Sequence, residues 1–193
     1  MFGVSTLSAD GRTETSGPSA AISLYKPENG AALNVFGGVH VWEYVSIQAN
    51  WMWNRNDITL VSSLVAPQDG GYYEQRRHSR QHAAVLDGLL YFRRRDSRVR
   101  PYLGTGLSLV HFSSDTIVSS VDQGIAPPSG TISALRAALR SHVGIDLRIS
   151  RHLAFRYSFS ETIGANPISQ VLTPPAPRRL ANFQNLFGFA GRF

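Results

Sequence analysis

Asn182-Phe183-Gln184-Asn185-Leu186-Phe187-Gly188-Phe189-Ala190-Gly191-Arg192-Phe193 closes the chain, and its reading decides how the rest is understood. With a period of two, Phe183, Phe187, Phe189 and Phe193 share one face, while Gln184, Gly188, Ala190 and Arg192 share the other. A strand that stays greasy on one face to its last residue needs an apolar medium outside that face. A membrane provides that medium, and a barrel interior suits the small and polar face.

The same alternation recurs upstream. Val45, Ile47, Ala49, Trp51 and Trp53 alternate with Ser46, Gln48, Asn50, Met52 and Asn54, two sets that a helix would scramble. Leu33, Val35, Val39 and Val41 stand opposite Asn34, Phe36, Gly38 and His40. Leu103, Leu107 and Leu109 stand opposite Gly104, Gly106 and Ser108, and glycines on an inner face make room inside a narrow barrel. Leu139, Val143, Ile145 and Leu147 alternate with Arg140, His142, Asp146 and Arg148, and Leu153, Phe155, Tyr157 and Phe159 with Ala154, Arg156, Ser158 and Ser160. The segment Tyr73 to Phe92 starts polar and turns apolar from Ala83, and Phe2-Gly3-Val4-Ser5 begins a short first strand.

Long connections rich in Gly, Ser, Thr and Pro fall near 10–30, 55–71, 113–133 and 163–177, the second with room for a strand extension from Ile58 to Val65, and short ones near 42–44, 93–98 and 150–151. Long and short alternate between eight strands. The predicted fold is therefore an all-β, antiparallel, up-and-down transmembrane barrel in one domain, 1–193, with short periplasmic turns and longer extracellular loops. In lipid only a closed barrel satisfies every backbone donor and acceptor of a sheet. Trp42, Tyr44, Tyr91, Phe92 and Tyr102 near the short turns, and Trp51, Trp53 and Phe112 toward the loops, are expected to form interfacial girdles.

Composition narrows the alternatives. No cysteine is present, so disulfides and thiolate metal sites are excluded. The net charge of +6 comes almost entirely from arginine, Lys26 being the one lysine, which makes phosphate-bearing partners candidates. No run of about 18 apolar residues occurs, which excludes a membrane-spanning helix and leaves a barrel open. The first residues lack a basic segment followed by an apolar one, so the numbering is expected either to start after a removed signal peptide or to belong to a soluble chain.

Pro101-Tyr102-Leu103-Gly104-Thr105-Gly106-Leu107, His142-Val143-Gly144-Ile145-Asp146-Leu147-Arg148, Leu153-Ala154-Phe155-Arg156-Tyr157-Ser158 and Gly188-Phe189-Ala190-Gly191-Arg192-Phe193 resemble the small eight-stranded bacterial outer-membrane β-barrels typified by the OmpA transmembrane domain. That resemblance implies residence in the outer membrane, contact with its lipid and lipopolysaccharide, and a last strand read by the barrel-assembly machinery. Gly191 departs from the pattern where another hydrophobic residue is usual.

The ionisable inward residues His40, Asp87, Arg140, His142, Asp146, Arg148, Arg156 and Arg192 are expected to meet as a polar lumen network, with Asp146 and Arg156 neighbours across one turn. Trp51, Trp53, Val143, Phe155, Phe187, Phe189 and Phe193 are expected to face lipid. Arg76, Arg77 and Arg80 are candidates for contact with anionic lipid. His111 and Ser113, two apart on one face with Asp115 or Asp122 nearby, have the spacing of a lipid A deacylase pair, but Arg156-Tyr157-Ser158 lacks a histidine at the corresponding late strand. Nucleic acid is not expected, because the aromatics lie mainly on the face opposite the arginines. No cofactor or metal is expected. The functional expectation is a non-enzymatic outer-membrane barrel with a structural or surface-interaction role, its protein partners unspecified. Two alternatives are a soluble lipocalin-like barrel with the pleat reversed and a lipid A-modifying enzyme.

Overall fold

The alternation resolves into ten strands in the computed structural model, which describes residues 1–8, 12–14, 21–64, 72–121, 130–168 and 179–191. They are β1 (Phe2–Ser8), β2 (Arg12–Glu14), β3 (Ala21–Pro27), β4 (Gly30–His40), β5 (Val45–Leu64), β6 (Tyr72–Tyr91), β7 (Val99–Val121), β8 (Ile132–Arg148), β9 (Leu153–Ala165) and β10 (Arg179–Gly191). Every pairing is antiparallel, and a ring of eight strands closes in the order β1, β4, β5, β6, β7, β8, β9, β10 and back to β1.

The closing pair joins the two ends of the chain, from Phe2 opposite Phe187 to Ser8 opposite Ala181. On its other side β1 meets β4, from Phe2 opposite Leu33 to Ser5 opposite Gly30. No strand of the ring is left as an edge, so its backbone groups are paired around the full circumference.

The remaining two strands lengthen the first hairpin. β3 runs along the far half of β5, from Pro27 opposite Ile58 to Ala21 opposite Leu64, where β4 has left off at Ala31 opposite Arg55. Between them Glu28 and Asn29 interrupt the strand, and the Glu28 amide donates to the Asp57 carbonyl at 2.8 Å, which keeps the kink attached. At Gly30 a Cβ would lie 1.5 Å from the Arg55 carbonyl oxygen, an approach that only glycine allows.

Strand reaches into the connections expected at 10–30, 55–71 and 113–133: β2 and β3 lie in the first, β5 runs on to Leu64 along the extension expected from Ile58, and β7 continues to Val121. The physical reason is a reversal of the alternation. On β5, Ile47 and Trp51 point outward and are about half exposed, yet ahead of them Ile58 and Leu60 point inward and are fully buried. β7 changes over between Leu109, outward, and Phe112, inward, and β1 between Val4, outward, and Leu7, inward. On these strands apolar residues enter the interior toward the far end. A search for one continuous phase loses the pattern at the crossover and reads loop.

The interior is tiered accordingly. Nearest the short turns Leu89, Tyr91 and Tyr102 cluster; Met52, Ala83 and Val85 pack above them; and at the far end Leu7, Ile58, Leu60, Tyr73, Phe112, Ile168 and Leu180 form an apolar plug. Tyr91, Tyr102 and Phe112 thus face in, at 4%, 2% and 2% exposure, and are not the girdle residues expected. Tyr91 shares the inward odd positions of β6, and Tyr102 and Phe112 the inward even positions of β7, and their bulk fills the tube. Trp51, Val143 and Phe187 lie on the outer surface, exposed, so the inverted pleat of a soluble ligand-binding barrel is not the one this chain adopts.

Candidate functional site

The charged tier of the interior is built from residues directly opposed on neighbouring strands. Asp146 on β8 pairs with Arg156 on β9 in the ladder, and their side chains form a two-pronged ion pair: Nε donates to Oδ1 at 2.6 Å and Nη2 to Oδ2 at 2.8 Å. Nη1 donates to Gln48 at 2.7 Å, and Nη2 also donates to the Tyr91 hydroxyl at 2.9 Å. The guanidinium is sandwiched between Phe36 and Tyr102, whose ring centres lie 4.7 and 5.0 Å away. Planar, weakly hydrated and with its donors engaged, arginine is the cation that tolerates such burial.

Asp87 on β6 organises a second group. Its Oδ2 accepts from Arg140 and, at 2.9 Å, from Asn50, while His142 Nε2 stands 3.4 Å away. His142 lies edge-on to Tyr102 with ring centres 5.7 Å apart and occupies the space over Gly104, where a Cβ would come within 2.0 Å of the imidazole. Glycine at 104 is what lets the histidine lie down across the tube. Arg100 is buried beside them, its guanidinium 3.9 Å from the Tyr91 ring centre.

Above the charges lies a tier of amides. Ser5 donates to Asn182 at 2.7 Å, and Asn182 donates to Asn54 and to Gln81, each at 3.2 Å. Asn54 continues to Asn56 at 3.0 Å, so hydrogen bonds tie β1, β5, β6 and β10 across the tube. Neutral amides donate and accept, which lets them fill the space without needing counter-charges.

Of the residues expected in the lumen, Asp87, Arg140, His142, Asp146 and Arg156 come together and are buried. His40 lies exposed at the short-turn mouth, bonded to Ser46 and 5.6 Å from the Tyr91 ring. Arg148 is half-buried at that end and takes no part in the network. Arg192 and Phe193 lie outside the described residues. Of the outward set, Trp51, Val143, Phe187 and Phe189 are exposed, and Trp53 and Phe155 are half-buried among their neighbours. Phe155 stacks on Phe187 and meets Phe189 edge-on, with centres 6.5 and 5.9 Å apart.

Arg77 requires correction. Expected at the surface with Arg76 and Arg80, it is fully buried, donating to Gln75, Thr116, Ser114 and the Gly130 carbonyl. Alternation separates it from its neighbours: Arg76 and Arg80 are even-numbered on β6 and point out, while Arg77 is odd and points in. Arg100 and the amide tier were missed for a related reason. Arg100 follows a basic turn and reads as solvated, although it shares its face with Tyr102; the asparagines and glutamines carry no charge to draw attention.

The deacylase-like pair is not assembled among the described residues. His111 Nε2 bonds Ser133 at 3.2 Å, and Asp115 accepts from Thr131 at 2.7 Å. Asp122 lies outside the described residues. Among the described residues no cluster of potential metal ligands occurs, and none of them forms a helix long and apolar enough to cross a membrane.

The strand order and closure match the crystal structure of the outer membrane protein OprG from Pseudomonas aeruginosa over 100% of this chain and 93% of that one, with a TM-score of 0.58 and 12% identity. This chain has the small eight-stranded outer-membrane β-barrel fold. Neisserial surface protein A (NspA) is similar over 100% of this chain and 97% of its own, with a TM-score of 0.48 and 16% identity. No family model matches the sequence, and no curated protein does. Within this small barrel, side chains fill the tube, and the void beside Gln81, Phe112, Ala138 and Asn182 is about 30 Å³, room for one water. The larger hollow, about 610 Å³, lies on the outer face along Leu90, Leu103, Val143 and Phe159.

Proposed function

We propose that this protein is a non-enzymatic integral barrel of the outer membrane, with a side-chain plug for a lumen and a structural or surface-contact role exercised by its projecting strands. The observation that carries the reading is the reversal of alternation along the strands. Leu86, Leu107, Leu139 and Phe187, all more than half exposed, belong to an outer band near the short turns, while Ile58, Leu60 and Phe112 beyond it are buried in the interior. Water outside that band would leave an unusually large apolar surface unpaired, whereas lipid accepts it.

The interlocked interior supports a plug rather than a pore. Arg156 is held by Asp146, Gln48 and Tyr91, Asp87 by Arg140 and Asn50, and the apolar cluster of Leu60, Phe112 and Leu180 closes the far end. Outer-membrane lipid and lipopolysaccharide are the surroundings proposed for the outer band, with the assembly machinery reading β10 during biogenesis.

The absence of cysteine makes the topology testable with single introduced thiols. Ser119→Cys on the far end of β7 is expected to react with a membrane-impermeant maleimide on intact cells, and Asp96→Cys in the 93–98 turn only after the outer membrane is permeabilised. Equal labelling of both on intact cells would sink the reading. In planar bilayers the purified barrel is expected to give no steady ion current.

A further inference from the structure

Arg55 on β5 and Arg80 on β6 are directly opposed across the ladder on the outer surface. Both are exposed, and neither side chain makes a hydrogen bond or ion pair with a described residue. The carboxylates one position further out are already engaged: Asp57 with His78 at 2.5 Å, and Asp115 with Thr131 at 2.7 Å. Like charges facing each other on a sheet oppose its pairing, and an anion held between them reverses the sign of that interaction.

The neighbourhood supplies further donors in register. The row continues from Arg80 to Ser113 and Ser133, and the next row toward the short turns reads Trp53, His82 and His111. Trp51 packs against His82 with ring centres 5.8 Å apart. This patch sits where β5 changes from apolar outside at Trp51 to apolar inside at Ile58, which is the level of the membrane surface on the reading proposed above.

We propose that Arg55 and Arg80 form a clamp for a phosphate group of the phosphorylated lipid in the outer leaflet, with Ser113 and His111 beside it for further oxygens and Trp51 and Trp53 against the lipid below. The site opens sideways, along the barrel wall, rather than upward into solution. That direction selects a headgroup anchored in the bilayer over a dissolved anion. It also separates this pair from the buried Arg77, whose guanidinium is committed inside.

The test uses the folded protein in neutral detergent, titrated with phosphorylated lipid A, with lipid A from which the phosphates have been removed, and with inorganic phosphate. Native mass spectrometry reads the bound fraction, and thermal unfolding reads stabilisation. Wild type is expected to bind phosphorylated lipid A at least about tenfold more tightly than the dephosphorylated form, the scale of one charge-assisted hydrogen-bonded contact. In Arg55→Gln/Arg80→Gln the preference is expected to vanish, while Arg151→Gln at the opposite end retains it. Without lipid the double variant is expected to unfold at the same temperature or higher, because a repulsion has been removed, so loss of binding is distinguishable from loss of fold. A preference that survives the double substitution, or is missing from wild type, overturns the proposal; so does displacement of lipid A by millimolar inorganic phosphate. If wild type inserts into vesicles but lacks the preference, only this inference falls. If it does not insert, the membrane reading falls as well.

Discussion

Replacing Arg156 by methionine removes the cation from the most heavily bonded ion pair in the tube. Lost are both prongs to Asp146 at 2.6 and 2.8 Å, the bonds to Gln48 and Tyr91, and the packing between Phe36 and Tyr102. Asp146, 2% exposed, loses the guanidinium that engages both of its oxygens. Breaking a buried pair from one side costs about 3–5 kcal/mol. Asp146→Asn should cost less, about 2 kcal/mol, since Arg156 retains Gln48, Tyr91 and two aromatic faces. The double variant, with neither charge left to strand, should be no worse than Arg156→Met alone, giving a coupling energy of about 2 kcal/mol. Urea titration of the barrel refolded into vesicles, followed by tryptophan fluorescence and by migration of unboiled samples, measures all three. Additivity within about 0.5 kcal/mol would refute the claim that the pair holds the interior together.

Gly104→Ala drives a methyl to within 2.0 Å of the present His142 ring position and is expected to cost about 1–3 kcal/mol, most of which His142→Ala on the same background should restore; chemical unfolding reports both. Phe112→Ala should remove about 3–5 kcal/mol from the apolar plug, seen as an earlier urea midpoint. Leu107→Arg, on the outer band at 69% exposure, should destabilise the vesicle-inserted barrel by up to about 2–4 kcal/mol; an unchanged midpoint would place residue 107 outside the hydrocarbon. Arg77→Met frees the Ser114 and Gly130 carbonyls and should raise amide exchange at the β7–β8 end while the charged tier stays protected, as hydrogen exchange by mass spectrometry can resolve.

The part of the fold nearest the short turns was legible because one rule dominates its strands, apolar outside and mostly small or polar inside, which is the rule a lipid surrounding would impose. Val45 to Asn54, apart from Met52, and Leu139 to Arg148, apart from Ser141, obey it, and the inward Arg140, His142 and Asp146 could be picked out by counting in twos. Beyond Arg55 the rule changes. Ile58 and Leu60 now supply the core from the inside while Asp57 and Thr59 face out, so strand continues under a pattern that resembles its own loss. The block Arg76-Arg77-His78-Ser79-Arg80 was read as one basic patch, where residue-by-residue parity would have sent Arg77 inward. The opposition of Arg55 and Arg80 was out of reach without the register of β5 on β6, which depends on the whole sheet rather than on either segment. Arg156 with Asp146 was within reach because a short turn fixes that register locally.

The pairing of β1 with β10 carries a kinetic consequence. It is the contact of greatest sequence separation in the ring, so it pays the largest loop-closure entropy. Until it forms, Gly3 to Leu7 and Asn182 to Leu186 present unpaired amides and carbonyls along two open seams. At Gly3 the strands approach so closely that a Cβ would lie 1.7 Å from the Asn185 carbonyl oxygen, making that seam a fit for one partner backbone and few others. A nascent barrel is therefore a zipper whose final tooth is cut for its own first strand, and a bulkier residue at position 3 should leave chains stalled as open sheets.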